Sequence, residues 1–499
     1  MGIIRKQSTY ATIILYIGIV VGFVGTALIR PKILTEGEIG LIQIMLNTTA
    51  LFAGVFTLGA NLMTLKMFPR FQTEDHTNRG LLSLILLMGL FGALLAIPAF
   101  YFSEFFFFST KDGERFEGFD YNVGFYIGII LVIVSRLFQF MLDAYLRAYH
   151  NNVLGVFSES IILRVLPIFG LLLYYLGLID FQFLVYFNMG IFLIPVLLTF
   201  LFLNRLKVLV LKNPGPFSRE EKHEMKGVAI VGLFEIISAG IILYIDTMML
   251  QWMLGEEAVG IYTTMFFFGL VIGIPARGLI RASIVIISES YAKQDFNKIQ
   301  SIYKKGSEVL LVVSGYVFLM VWGNRYSIVE YLGPIFKPGT YVILFIALAQ
   351  FFDVVTSVNY HIIAVSKYYK FNVLISVFQL ALLIGTNFIF INLYGIVGAA
   401  IGSAISMLLM NLIRFLFLKV KYNLTPFSSN TIRALVIFGL VFLVMELLPN
   451  YENMFANLFW KGTIITLLFI PLVYLFRCSR DINDVMNKYL HKIGVRFNR

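Results

Sequence analysis

The 499-residue sequence is poor in the residues that soluble domains use to cover their surface. Only 13% of its residues are charged, whereas 59% are hydrophobic. Average charged usage is nearly twice as high, and a soluble chain of this size has no way to bury so much apolar surface. The single cysteine, Cys478, excludes an intramolecular disulfide. These shortages exclude disordered and disulfide-rich secreted chains, and they indicate a polytopic membrane protein.

Long apolar runs fill the sequence from one end to the other. About 20 mostly apolar residues cross the hydrocarbon core of a bilayer as a helix. On this basis the sequence predicts an all-α protein with fourteen transmembrane helices, and its first run is too long for a cleaved signal peptide. The predicted spans are residues 8–29, 40–64, 80–101, 123–144, 153–177, 182–203, 227–252, 260–284, 306–324, 339–362, 372–391, 395–417, 432–449 and 459–476.

Basic residues outnumber acidic ones, with 39 Lys and Arg against 28 Asp and Glu. Such an excess can indicate a nucleic acid partner, but cytoplasmic loops of membrane proteins also collect Lys and Arg. Most of the basic residues lie on segments that share the side of the N-terminus. The opposite segments hold only Arg30, Lys32, Lys111, Arg115, Arg325 and Lys337. We therefore predict two cytoplasmic termini and no nucleic acid partner.

A short turn occurs twice in the sequence. LTEGEIGLI at Leu34–Ile42 follows the first span, and LGEEAVGIY at Leu254–Tyr262 follows the seventh. The identical positions are Leu34 with Leu254, Glu36 with Glu256, and Gly40 with Gly260. Internal repeats are frequent in transporter folds, although Gly and Glu are common enough in turns for a chance match. Because an even number of spans separates the copies, we expect two parallel six-helix bundles with a substrate cleft between them.

The predicted domains follow from this duplication: a bundle at 1–203, a cytoplasmic linker at 204–226, a second bundle at 227–417, two additional spans within 418–476 and a basic tail at 477–499. In the linker, NPGPFSREE favours a turn followed by a helix start, with Ser218 as the cap and Glu221 three residues later. The tail from Asp481 to Arg499 reads as an amphipathic helix on the inner leaflet or as a solvated charged segment.

Several ionisable side chains lie inside the predicted spans, where they are costly and usually face a cavity or a partner. Arg136, Gln139 and Asp143 share one face of span 4, and span 5 carries Glu159 and Arg164. The alternative is a pair of neutralising contacts between helices, Arg136 with Asp143 and Glu159 with Arg164.

Three further acids are candidates for binding a coupling cation. Glu235 and Asp246 lie on one face of span 7, about 16 Å apart along the axis. Asp353 lies on span 10. Cation coupling needs a carboxylate that is bare in one state and neutralised in another, although Asp246 as a structural tether to the first half is the alternative. Asn47, on span 2, lines a cavity or forms a hydrogen bond between helices.

Several segments resemble the Wzx-type polysaccharide flippases of the multidrug/oligosaccharidyl-lipid/polysaccharide (MOP) exporter superfamily. The pattern D-x-M-M-L-x-x-x-L-G-x-x-x-V-G-x-Y at Asp246–Tyr262 carries the resemblance. So do IPARGLIRASIVIISESYAKQDFNKIQSIYKKGSE at Ile274–Glu308 and LYGIVGAAIGSAIS at Leu393–Ser406. The resemblance covers essentially the whole chain, and the order of the motifs with the fourteen spans carries more weight than any single one.

This resemblance implies a V-shaped pair of six-helix bundles with two additional helices. It implies export of an undecaprenyl-pyrophosphate-linked oligosaccharide, a repeat unit of O-antigen, capsule or exopolysaccharide, across the bacterial inner membrane. Alternating access coupled to protons or sodium is the expected mechanism, without a cofactor. Expected partners are the lipid-linked glycan, the coupling ion, the bilayer, and glycan polymerisation and assembly proteins. The expected substrate-binding residues are Arg277, Arg136, Arg164, Gln139 and Asn47, and the ion-coupling candidates are Asp246, Glu235, Asp353 and Glu159.

Four other functions were weighed against this one. Cation-coupled drug efflux favours an acidic lumen, whereas spans 4, 5 and 8 contribute arginines. A lipid II flippase is disfavoured because the expected dense arginine set in spans 1 and 2 is missing. A polymerase or ligase normally needs a large outer loop with catalytic Arg or His, and the longest outer loop is residues 102–122. We therefore predict no enzyme and no metal site, and a passive scramblase or scaffold remains the fourth alternative.

Overall fold

The structure, a computed structural model, describes residues 2–151 and 153–492. These residues form an all-helical protein without a β-strand. Fourteen helical segments in this part of the chain are long and apolar enough to cross a membrane, and each overlaps one predicted span. The prediction of an all-α polytopic membrane protein is confirmed.

The helices group into two compact units that divide between Thr264 and Met265. The first unit contains two π-helical segments, Val24–Ile29 and Ser158–Ile162, and a single 3₁₀ turn at Asn78–Gly80. Its α-helices are α1 (Gly2–Phe23), α2 (Arg30–Ile33), α3 (Glu36–Val55), α4 (Ala60–Phe71), α5 (Leu81–Phe108), α6 (Val123–Ala148), α7 (Val153–Phe157), α8 (Leu163–Tyr175), α9 (Phe181–Ile191), α10 (Leu193–Arg205), α11 (Arg219–Leu254) and the start of α12 (Glu256–Leu270).

The predicted second span is broken into α3 and α4. Gly59 connects them with a φ of +74°, a left-handed conformation that glycine adopts without strain. A Cβ at this position would lie 1.9 Å from the carbonyl oxygen of Ala229 in α11. The break therefore reflects tertiary packing, because the backbone of α11 passes directly against the connection.

The long helix α11 packs against α3, α4 and α5 within the first unit. Ser218 and Glu221 form the predicted capping box at its start, with each side chain bonded to the other residue's backbone N–H. Glu221 also accepts hydrogen bonds from Arg79 at 2.7 and 3.2 Å. One turn later, Glu224 pairs with Arg70. These contacts fix the start of α11 to the end of α4 and to the turn at Asn78–Gly80.

The second unit contains two 3₁₀ segments, Val271–Gly273 and Pro334–Gly339. Its helices are α13 (Ile274–Ala292), α14 (Phe296–Gly323), α15 (Arg325–Leu332), α16 (Thr340–Val355), α17 (Asn359–Val365), α18 (Tyr369–Tyr394), α19 (Ile396–Tyr422), α20 (Ser429–Leu447), α21 (Met454–Leu475) and α22 (Arg480–Lys492). Helices α16, α18 and α19 pack together, and α14 contacts α13, α16, α20 and α21.

Polar contacts attach the last two spans to the rest of the second unit. Arg325 donates to both carboxylate oxygens of Glu446, at 3.0 and 2.7 Å, and the indole of Trp322 donates to the same carboxylate at 2.7 Å. Asn457 donates to Ser327 at 2.8 Å. Helices α20 and α21 are therefore joined to α14 and α15 by specific hydrogen bonds as well as by apolar packing.

In the tail, α22 is described over Arg480–Lys492, and the rest of the predicted helix, residues 493–499, lies outside the described part of the chain. Residues 206–218, in the predicted linker, are not helical. The division into bundles at 1–203 and 227–417, with two additional spans and a basic tail, stays a prediction.

Candidate functional site

The two copies of the repeated turn lie against each other. Helix α3 begins at Glu36 and α12 begins at Glu256, so both copies start a helix at the same aligned position. A Cβ on Gly40 would lie 1.8 Å from the carbonyl oxygen of Glu256, and a Cβ on Gly260 would lie 1.8 Å from that of Glu36. The two helix starts therefore cross through a reciprocal contact that requires glycine. This reciprocity favours a duplication over a chance match.

Asp246 lies beside this crossing and is buried, with 7% of its surface exposed. Its carboxylate accepts a hydrogen bond from the Tyr262 hydroxyl at 2.8 Å. The neighbouring Thr247 accepts a hydrogen bond from the Asn47 amide at 2.8 Å, and Asn47 in turn accepts one from Gln43 at 2.9 Å. Among the described hydrogen bonds, Thr247 is thus the residue that joins this part of α11 to α3, while Asp246 is bonded to Tyr262 in α12.

Arg136 lies between α3 and α9. Its guanidinium donates to the carbonyl of Leu46 at 3.0 Å and to the hydroxyl of Thr49 at 3.2 Å. The guanidinium carbon also lies 4.8 Å from the centre of the Phe192 ring, within cation–π distance. All these partners are neutral. One turn along α6, buried Gln139 accepts a hydrogen bond from Thr199.

The neutralising contact between Arg136 and Asp143 that the sequence offered is not formed, because Arg136 makes no salt bridge with Asp143 among the described residues. Asp143 is buried, and its Oδ1 has no hydrogen-bond partner there. Glu159 is exposed. Asp143 is therefore not the partner of Arg136 in span 4.

Arg164 lines a cavity of about 110 Å³ inside the first unit. Its guanidinium donates to the backbone carbonyl of Gly18 in α1. A second arginine, Arg30, lines the same cavity and is buried, with 8% of its surface exposed. The cavity also touches Asn188 and Phe192. The structure thus brings two guanidinium groups from spans 1 and 5 to one small space.

Arg30 was not among the predicted site residues. Its place near the end of an apolar span suggested an outer topological marker, and in the sequence it resembles a residue at the headgroup level. One signal for a special role was available: Arg30 precedes Pro31 within a helical segment, where the residue before proline is normally restricted.

The acidic candidates differ in their surroundings. Glu235, on the predicted face of Asp246, is exposed. In the second unit, Asp353 accepts a hydrogen bond from the Asn411 amide at 3.2 Å. The side-chain amide oxygen of Asn411, Oδ1, accepts hydrogen bonds from Thr356 at 2.8 Å and from Asn359 at 2.9 Å. Asp353 therefore lies at the end of a hydrogen-bonded network that joins α16, α17 and α19.

Arg277 and Arg281 follow Pro275 at the start of α13, one helical turn apart. Both side chains are exposed, and Arg277 makes no hydrogen bond or ion pair with any described residue. The guanidinium is thus available to an external ligand. Within residues 2–151 and 153–492, no group of three His, Cys, Asp or Glu side chains is arranged to hold a metal ion.

Comparison with known proteins gives a partial family match and a shared fold. Residues 233–389 match the MatE family model. No curated protein sequence matches the chain.

Solved structures with the same fold include a lipid II flippase, MurJ, in an inward closed conformation, with a TM-score of 0.68 and 13% identity over 94% of this chain and 99% of that one. An inward-facing multidrug resistance MATE family transporter of the MOP superfamily matches with a TM-score of 0.58 and 16% identity, over 83% and 94%. A MOP superfamily transporter from Pyrococcus furiosus, described by the reverse polarity of its binding pocket, matches with a TM-score of 0.54 and 16% identity, over 84% and 96%. The chain therefore shares the fold of MATE transporters and of MurJ, and the MatE model matches about a third of its length.

Proposed function

We propose that this protein is a flippase that moves an undecaprenyl-pyrophosphate-linked oligosaccharide from the inner to the outer leaflet of the bacterial inner membrane. The observation that carries the proposal is the sign and pairing of the interior charge. Arg136 is bonded only to neutral groups, and Arg277 is exposed and unbonded among the described residues. Arginines that form no hydrogen bond or salt bridge with a carboxylate among the described residues favour an anionic cargo.

The diphosphate is the part of such a cargo that these arginines would recognise. A guanidinium presents a planar fork of N–H donors that pairs bidentately with phosphate oxygens and stays charged at any physiological pH. In this proposal Arg277 and Arg136 bind the diphosphate in different steps of the transport cycle. Gln139 and Asn47 contribute polar surface for the sugars, and the polyprenyl tail stays in lipid.

Movement of the cargo is proposed to follow alternating access with a coupling proton or sodium ion. Asp246 and Asp353 are the preferred coupling groups, because each carboxylate accepts a hydrogen bond from a neutral side chain of a neighbouring helix. Glu235 and Glu159 are exposed and remain secondary candidates. Cytoplasmic termini, as the distribution of Lys and Arg predicts, belong to the same proposal.

Two other functions have an observation in their favour. The match to MurJ covers more of this chain than the matches to the two other transporters, which favours lipid II as a cargo of the same chemical class. The match to the MatE model favours cation-coupled drug efflux. Efflux of cationic drugs fits less well with the unpaired arginines, because like charges repel across a low-dielectric interior.

Reconstituted full-length protein tests the proposal. The probe is a short-chain polyprenyl diphosphate that carries a fluorescent disaccharide, and its movement is read from the fraction that external dithionite quenches. We expect the protein to accelerate movement and Arg277→Ala to slow it about 10- to 100-fold, since a hydrogen bond to a charged group contributes about 1.5–3 kcal/mol.

Arg281→Ala is the matched control, because it removes an equally exposed arginine one turn away, and we expect a smaller loss. Gradient-driven ethidium export without movement of the prenyl probe would replace the proposal with drug efflux. Movement only when the probe carries a lipid II-type peptide would assign the cargo to peptidoglycan synthesis.

A further inference from the structure

The cavity lined by Arg30 and Arg164 lies entirely within the first unit, among spans 1, 2, 5 and 6. Its volume is about 110 Å³, and one water molecule occupies about 30 Å³ of liquid. The space therefore holds an ion with a few waters, whereas a diphosphate with its sugars and lipid is far larger. Its ligand is distinct from the proposed cargo.

Arg30 carries a buried charge that its protein neighbours do not neutralise. Its Nη2 donates to the carbonyl of Ile39 at 3.2 Å and, more weakly, to the amide oxygen of Gln43 at 3.4 Å. Its Nε has no hydrogen-bond partner, and the guanidinium makes no salt bridge, among the described residues. A buried charge is costly unless it is paired and its donors are satisfied.

Both arginines follow directly on the two π-helical segments of the first unit. Val24–Ile29 precedes Arg30, and Ser158–Ile162 ends two residues before Arg164. A π-helical turn shifts the register of every side chain after it, and such turns occur frequently at functional sites. The two π-helical segments therefore set the helical register in which Arg30 and Arg164 line the cavity.

Glycines in α1 make room for the second arginine. A Cβ on Gly22 would lie 2.9 Å from Nη1 of Arg164, and a Cβ on Gly18 would lie 2.4 Å from the carbonyl oxygen of Ser160. Small residues let membrane helices approach closely. At Gly22 the missing side chain leaves space that the Arg164 guanidinium occupies. The glycines of α1 therefore allow both the close packing of the helices and the position of the Arg164 charge.

We propose that this cavity is a binding site for one small inorganic anion of the size of chloride. Arg30 and Arg164 both line the cavity, and the bound anion neutralises the charge of Arg30, whose Nε has no hydrogen-bond partner and whose guanidinium has no salt bridge among the described residues. The site does not depend on the proposed cargo, because its ligand, its location and its test are separate from glycan transport.

Thermal unfolding of the full chain in lipid nanodiscs tests the site. The midpoint Tm is measured in sodium chloride and in sodium gluconate at equal ionic strength, with gluconate as an anion too large for the cavity. We expect chloride to raise Tm by about 2–4 °C when it saturates the site. Equal Tm values in the two salts for the native protein would overturn the proposal.

Variants then locate the effect. Arg30→Gln should abolish the difference between the two salts, while Arg205→Gln, which removes an exposed arginine at the end of α10, should keep it. Because Arg30→Gln could also impair folding, radioactive chloride binding to the native protein provides a second measurement. We expect one chloride per chain, and binding that Arg30→Gln leaves unchanged, or no saturable binding, would contradict the assignment.

Discussion

Arg30 in the first unit and Arg325 in the second are equally buried, each with 8% of its surface exposed, yet their partners differ. Arg325 is held by the carboxylate of Glu446 and lies 4.2 Å from the centre of the Trp322 ring. Arg30 is bonded to a carbonyl and an amide, both neutral. The first arrangement is complete without a ligand, and the second leaves a charge that a ligand can neutralise.

This comparison separates arginines that are bonded to a carboxylate from arginines that are bonded to neutral groups, a distinction that burial alone does not make. Arg325 ties α15 to α20 and so has a sufficient structural role. Arg136 follows the pattern of Arg30, with carbonyl, hydroxyl and aromatic partners. Arg30 and Arg136 are thus both bonded to neutral groups, in contrast to Arg325.

The largest expected loss of stability comes from a substitution that displaces the backbone next to Arg30. Gly40→Ala places a methyl group 1.8 Å from the Glu256 carbonyl and displaces the start of α3, where Arg30 bonds to Ile39. Overpacking of this kind costs about 3 kcal/mol, so Tm should fall by several degrees. Gly439→Ala, in a helix with open space at the Cβ position, is the matched control and should be neutral or stabilising. Equal Tm values for the two variants would show that the glycine contact is not tight.

The energetic coupling between Arg325 and Glu446 can be compared directly with the coupling between Arg30 and Gln43. Arg325→Ala leaves a carboxylate that is about a third exposed, which limits the cost to about 2 kcal/mol. In a double-mutant cycle with Glu446→Gln we expect a coupling energy of about 1–2 kcal/mol, and for Arg30→Gln with Gln43→Ala below about 0.5 kcal/mol. The measurement is thermal unfolding in nanodiscs. Similar coupling energies for the two pairs would remove the distinction between the two arginines.

The smallest expected effect on stability concerns Asp246. Asp246→Asn retains an oxygen that accepts the hydrogen bond from Tyr262, so stability should change by less than about 1 kcal/mol. Dependence of prenyl-probe transport on an imposed proton or sodium gradient should nevertheless decrease, because an amide cannot take up a cation's charge. Gradient dependence identical to that of the native protein would leave Asp246 with a structural role only.

Hydropathy was sufficient to predict a polytopic membrane protein, because it is summed over the residues of one short stretch and does not depend on contacts between stretches. The fourteen spans, the capping box at Ser218 and Glu221 and the equivalent helix starts at Glu36 and Glu256 each depend on short stretches of sequence. The repeated turn was visible for the same reason. Local composition and spacing are thus sufficient for the element types and their order.

Only the tertiary structure decided which charges meet. The sequence offered Asp143 as a carboxylate partner for Arg136, but the structure gives this arginine a carbonyl oxygen from α3. In the structure the second span is also interrupted at Gly59, which lies against the backbone of α11. Arg30 lines a cavity there, although its position in the sequence indicated the end of a span. The physical reason is that a side chain's partner depends on which helices approach each other and in which register, and the pattern within one helix does not contain that information.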